Sequence, residues 1–201
     1  MNNQLKWNEI ITKLQNRSPL QPLSPVRVWD QAIDEDIAAL ALPEGEALTP
    51  ESKEVIALKA GLHLWNDSLD LSHSYSQQIE DDATGCYWHA IMHRMEHDYS
   101  NANYWFHCAG SHPVKGKLQA KVADWLQHGV ILVELPESRI RETLVDMKRQ
   151  SVWNPNALTD IIQLQESGKA SEETRAALEY IQHLEVTELF AHTLSAVEAI
   201  R

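Results

Sequence analysis

The chain is poor in cysteine, with two among 201 residues, and poor in glycine, with seven. Two cysteines cannot build a disulfide scaffold, and Cys86 and Cys108 do not form the Cys-x-x-Cys pair of a redox or zinc-ribbon motif. Both are read as buried free thiols, since free cysteine usually behaves as a small hydrophobe. The glycines compose no phosphate-cradling loop, no Gly-x-Gly-x-x-Gly fingerprint and no Gly-x-Ser-x-Gly elbow. Nucleotide folds and serine hydrolases therefore have no support. No apolar run approaches the roughly 20 residues needed to span a bilayer. The start, Met1 to Trp7, lacks both a basic-then-apolar signal pattern and an arginine-rich transit pattern. The expectation is a soluble, cytoplasmic protein without membrane contact.

Basic residues are also in deficit, 17 against 29 acidic ones, for a net charge of -12. Phosphate-backbone binding draws on lysine and arginine displacing counterions, so nucleic acid is not an expected partner. The local basic groups, Lys115/Lys117/Lys121 and Arg139/Arg141/Lys148/Arg149, recur at the spacing of solvated helix faces.

What the chain does have is helical periodicity. Trp7, Ile10, Ile11 and Leu14 predict a short amphipathic helix ending near Asn16. Five of the eight prolines then fall between Ser18 and Pro50, which predicts an extended wrapping arm over 18–49 with at most a short helix around Asp34 to Ala41. Thr49 as cap, Pro50 at the first helical position and Glu51 in the first turn start a strong helix. The stripe Val55, Leu58, Leu62, Trp65 and Leu69 carries it to about Glu80. His63, Asp67, Asp70 and Ser74 lie off that stripe and are read as solvated surface. A turn at Asp81 to Gly85 leads into a second helix, about Cys86 to His97, and the two helices are expected to form a central antiparallel pair. Tyr104, Trp105 and Phe106 sit on a short helix and are read as core. Leu118 to Gly129, Glu137 to Gln150, Asn156 to Ser167 and Ser171 to Ile200 supply further helices, while Val130 to Leu135 is either one strand or a buried connector. No internal repeat is visible. The fold class is thus all-α: a bundle-like single domain with a proline-rich N-terminal arm and motif-bearing helices over 50–113.

Residues 73–113 hold six of the ten histidines and four of the five tyrosines. Histidine is the side chain best suited to move protons or ligate a metal near neutral pH. His73 and Glu80 share one face of the first helix; His89, His93 and Glu96, at i, i+4 and i+7, share one face of the second, while His97 is rotated away. These five residues could hold one divalent metal ion between helices. Arg94, with His73, Tyr99 and Asn101 at the helix break, could instead bind a small polar or anionic ligand. In the third alternative the same groups form a closed structural network in a scaffold or interaction protein. Two metalloenzyme types are disfavoured. Ala90 stands where a zinc protease places its glutamate after the first histidine. The order His93-x-x-Glu96 reverses the Glu-x-x-His of di-iron bundles, and the first helix has no counterpart.

The string Gly85-Cys-Tyr-Trp-His-Ala-Ile-Met-His-Arg94, followed by Glu96, Asp98-Tyr99, Asn101-Ala102, Tyr104-Trp105-Phe106, Gly110 and His112-Pro113, resembles an uncharacterised family of proteins. Ser72-His73 and Gln77 belong to the same pattern, which covers about residues 60 to 115. The resemblance implies a site in this block and no particular activity. Cys86 and Cys108 depart from it, standing where a small polar and a basic residue are expected, so neither is read as a functional thiol. The working hypothesis is an interhelical His/Glu/Arg pocket for a metal or small polar ligand, suited to hydrolytic or acid-base chemistry.

Overall fold

A computed structural model describes residues 3–40, 49–130 and 132–199. Residues 41–48 of the proline-rich arm, and Ile131 within the Val130 to Leu135 run, lie outside it. The described residues form ten α-helices and no strand, an all-α fold. They are α1 (Asn3–Gln15), α2 (Gln31–Ala38), α3 (Pro50–Trp65), α4 (Leu69–Ser76), α5 (Ala83–Met95), α6 (Tyr99–Cys108), α7 (Val114–His128), α8 (Arg139–Met147), α9 (Pro155–Leu164) and α10 (Glu172–Ala199). Leu132–Glu134 is a single 3-10 turn. No helix among the described residues is long and apolar enough to cross a membrane.

The local signal acts as expected at Thr49, whose Oγ1 accepts from Ser52 N at 3.2 Å with Pro50 next in line. The second helix starts earlier than Cys86, within the expected turn: Asp82 Oδ1 accepts from Gly85 N at 2.8 Å to open α5 at Ala83. Every residue from Thr84 to Met95 is buried, so α5 is the central helix, packed against α3, α4 and α6. Gly61 makes its contact with α3 close: a Cβ there would lie 2.6 Å from the Trp88 ring.

The Pro50-to-Glu80 helix is not continuous. It ends at Trp65, turns through Asn66, Asp67 and Ser68, and doubles back as α4. Asp67 adopts a φ of 64°, a left-handed conformation that aspartate and asparagine tolerate better than most residues. The N-terminal arm holds the turn. Arg17 bonds the Asp67 carboxylate at 2.5 and 2.9 Å, and Gln21 Nε2 donates to it at 2.8 Å. The Asn66 amide donates to Asp30 O at 2.8 Å and Asp34 Oδ1 at 2.9 Å. The apolar stripe could not reveal this break because its cause lies some 50 residues away in sequence.

Three smaller expectations also change. His63 and Asp67 are buried, His63 against Asp34 and Asp67 against Arg17. Cys86 is buried but Cys108 is exposed. Of the aromatic run, Phe106 is core, Trp105 half-buried and Tyr104 57% exposed.

The backbone contains a repeat that residue identity hides. The α3/α4 and α5/α6 hairpins make the same turn thirty positions apart. Ser68 N bonds His63 O at 2.9 Å, as Asp98 N bonds His93 O at 2.9 Å. Ser72 N bonds Ser68 O as Ala102 N bonds Asp98 O, and the left-handed residues are Asp67 at 64° and His97 at 66°. Between 60–77 and 90–107 only Ala60/Ala90 and His63/His93 are identical.

Candidate metal centre

Two hairpins meet where α4 packs on α5, and three histidines converge there. His73 comes from α4; His89 and His93 lie one turn apart on α5. One nitrogen from each ring falls within 4.8 Å of the other two. His89 and His93 stack at 4.7 Å and 19°, and His73 closes the group at 4.8 Å from His89 and 5.1 Å from His93. Trp105 from α6 covers the far face of His89 at 4.2 Å and 19°. Periodicity alone placed Trp105 in the core; its position over His89 needed the hairpin turn.

Both ring nitrogens of His89 and Nδ1 of His93 are buried without a hydrogen-bond partner. Such groups normally find one, since an idle buried donor or acceptor keeps its desolvation cost uncompensated. Burial, reinforced by the neighbouring His93 and His73, pushes the His89 pKa down to about 3. The His93 pKa is lowered by burial and by His73, with Asp98 opposing. Both rings are thus held in the neutral form that ligates metals.

Glu96 lies beside His93, three residues further along the chain. Its Oε2 lies 3.8 Å from His93 Nδ1, and its side chain is one-third exposed. Burial raises its pKa, with His73 opposing and Asp70 and Asp98 adding to the rise. Glu96 also borders an acidic groove of about 910 Å³ lined by Asp70, Met95, His97 and Asp98. This groove runs past the turn after His93, and the three rings are not part of its lining.

The other predicted residues are placed elsewhere. Glu80 is exposed beyond the 3-10 turn Gln77–Ile79 and is outside the histidine group. Arg94 points to the opposite side of α5, fully buried, with Nη2 2.5 Å from Glu185 Oε2. The other Glu185 oxygen accepts from Tyr87 Oη and Trp153 Nε1, each at 2.8 Å. Three donors therefore surround one carboxylate and tie α5 to α10 and to the segment before α9. Glu185 and Trp153 carried no local signal, because this contact joins positions 91 residues apart. Asn101 receives the α6 cap, its N and Nδ2 donating to Asp98 at 3.2 and 2.7 Å. Tyr99 lies beside His97 at 5.9 Å, with its hydroxyl buried and unpartnered. His97 turns outward to Ser24 at 2.6 Å and Glu166 at 3.2 Å, both through Nε2.

No protein-family model, curated protein or solved structure matches the chain.

Proposed function

We propose that His73, His89 and His93 bind one divalent metal ion, with Glu96 beside His93. The observation that carries this reading is the convergence of three imidazoles, two of which, His89 and His93, have buried nitrogens without protein partners. Ligands about 2.0–2.1 Å from a tetrahedral ion lie roughly 3.3 Å apart. Modest side-chain rotation from the present spacing within 4.8 Å would bring the nitrogens to that distance.

Three histidine ligands would leave a coordination position for water, and an ion held in this way would supply Lewis acidity. The Glu96 carboxylate, 3.8 Å from His93 Nδ1 and with a pKa raised by burial, would take or return a proton beside the bound ion. Hydrolytic or acid-base chemistry on a small polar substrate follows as the reaction class. Arg94 is left out of ligand binding because it is fully buried away from the histidine group, with Nη2 on Glu185.

The competing reading, a scaffold without a ligand, draws on the buried Arg94, Tyr87 and Trp153 contacts around Glu185. The two are separated by metal content. Untagged protein loaded with zinc and freed of excess should carry one ion per chain, and a His93→Ala variant of unchanged helicity should carry none. A wild-type protein that binds no zinc, cobalt, manganese or iron in titration calorimetry would remove the metal reading and leave the rings as packing.

A further inference from the structure

The α5/α6 hairpin carries both cysteines of the chain. It turns at residues 96–98, and α5 packs against α6 more extensively than against α3 or α4. Antiparallel neighbours pair in reverse order, so each step back along α5 faces a step forward along α6 and beyond it. Three side-chain contacts fix that register: His89 on Trp105 at 4.2 Å, Tyr87 on Phe106 at 5.2 Å, and Thr84 Oγ1 3.2 Å from His112 Nε2. Cys86 lies between Thr84 and His89 in sequence, and Cys108 lies between Trp105 and His112. Cys86 is three residues before His89 and Cys108 three after Trp105, about one helical turn in each case. The two cysteines therefore occupy the next level of the face on which His89 and Trp105 stack.

The two thiols differ in access. Cys86 is buried and donates to Glu80 O at 3.1 Å, whereas Cys108 is exposed. Burial, then the charge of a Cys108 thiolate, push the Cys86 pKa up to about 11. Cys108 also raises the Tyr104 pKa, with burial, Glu80 and Cys86 adding to the rise. Each sulfur thus lies within the other's electrostatic reach, as the register of the hairpin requires. An exposed thiol is open to small oxidants. A buried thiol held protonated beside it is spared until that oxidation presents an electrophilic sulfur.

We propose that Cys108 and Cys86 are a peroxide-sensitive pair that closes a reversible disulfide between α6 and α5, one turn from the His89–Trp105 stack. The Cys108 sulfur attacks one oxygen of hydrogen peroxide; the O–O bond breaks, the sulfur is oxidised to a sulfenic acid and one water leaves. The Cys86 sulfur then gives up its proton and attacks the Cys108 sulfur; the S–O bond breaks, the S–S bond forms and the hydroxyl leaves with that proton as a second water. Two thiols and one peroxide give one disulfide and two waters, and a dithiol reductant reverses the change. A disulfide requires Cα atoms about 4.4–6.8 Å apart, so its closure in the folded chain reads the approach of the two helices. The pair stands whether or not the histidines hold a metal.

Peroxide treatment of the dilute, folded, untagged chain tests it. The peroxide is removed, remaining thiols are alkylated in urea, and intact mass is measured with and without prior reduction. Wild type should become a monomer lighter by two hydrogen atoms that takes up no alkyl group, and reduction should restore two alkylatable thiols. Digestion should yield one peptide pair joined through Cys86 and Cys108. Cys86→Ser should instead stop at the Cys108 sulfenic acid, which dimedone captures. Closure in wild type should also quicken as pH rises toward the Cys86 pKa. Dimedone capture in wild type equal to that in Cys86→Ser, dimers joined through Cys108, or two free thiols after peroxide would each overturn the pair. If Cys86→Ser loses its helical circular dichroism, Cys86→Ala, which buries no hydroxyl, takes its place with the same expected outcome.

Discussion

Glu185 shows how much a single buried carboxylate can organise. Its oxygens are saturated by Arg94, Tyr87 and Trp153, and neither Arg94 nor Glu185 has any solvent-exposed side-chain surface. Removing one charge from such a pair leaves the other uncompensated. Arg94→Met should cost about 3–5 kcal/mol in urea unfolding, whereas Arg94→Met with Glu185→Leu should recover most of that loss. His112 is a second residue whose burial has a readable consequence. It sits against Tyr87 at 5.4 Å and His192 at 4.7 Å, with Thr84 Oγ1 3.2 Å from Nε2. Burial, then His192 and Lys115, push its pKa from 6.5 down to about 4. Between those values the unfolded chain binds a proton that the folded chain refuses, so stability falls as pH drops through this window and rises with pH across it. Urea unfolding at pH 7, 6 and 5 should show the decline, and His112→Asn should make it shallower, with His89 and His93 supplying what remains.

At the scale of the element, the turn between α3 and α4 is the instructive case. Its hydrophobic stripe continues through the break, so periodicity predicts one helix, yet Arg17, Gln21 and the Asn66 contacts hold a left-handed residue in the middle of it. Asp67→Ala loses the ion pair and keeps the strained φ; Asp67→Gly loses the same pair without that strain. The alanine variant should therefore be the less stable by about 1 kcal/mol in parallel urea titrations. The α3/α5 crossing gives another expectation. Gly61 leaves room for the Trp88 ring, which is fully buried and bonded through Nε1 to Thr193 at 3.2 Å. Gly61→Ala should cost about 1–3 kcal/mol through overpacking, seen as a lowered urea midpoint with an unchanged slope.

For the whole molecule, the arm, the hairpins and α10 act on one another through buried polar contacts as well as the apolar core. Gln21 donates to Leu64 O at 2.6 Å, and Gln182 to Pro22 O at 3.2 Å, so the arm bridges α3 and α10. A metal ion at His73, His89 and His93 would join α4 to α5 in the same way and stabilise only the folded chain. Zinc at one hundred times its dissociation constant should add about 2.7 kcal/mol, read as a higher Tm that His93→Ala does not show.

The helical character, the cap at Thr49 and the phase that puts His89 and His93 on one face were legible in the amino-acid order alone. These depend on neighbours within a turn or two along the chain. That His73 joins them while Glu80 does not depends on long-range folding, because the break at Asp67 and the 3-10 turn after Ser76 change the course of the first helix. Long-range folding also decided that Arg94 faces Glu185 and that Asp34 faces His63. The repeat of the two hairpins is a fact of backbone hydrogen bonding: positions such as Lys59 and His89, or Tyr75 and Trp105, share a place and differ in chemistry. The histidine block at 73–113 marked a region, and long-range contacts selected three of its six histidines for the candidate centre.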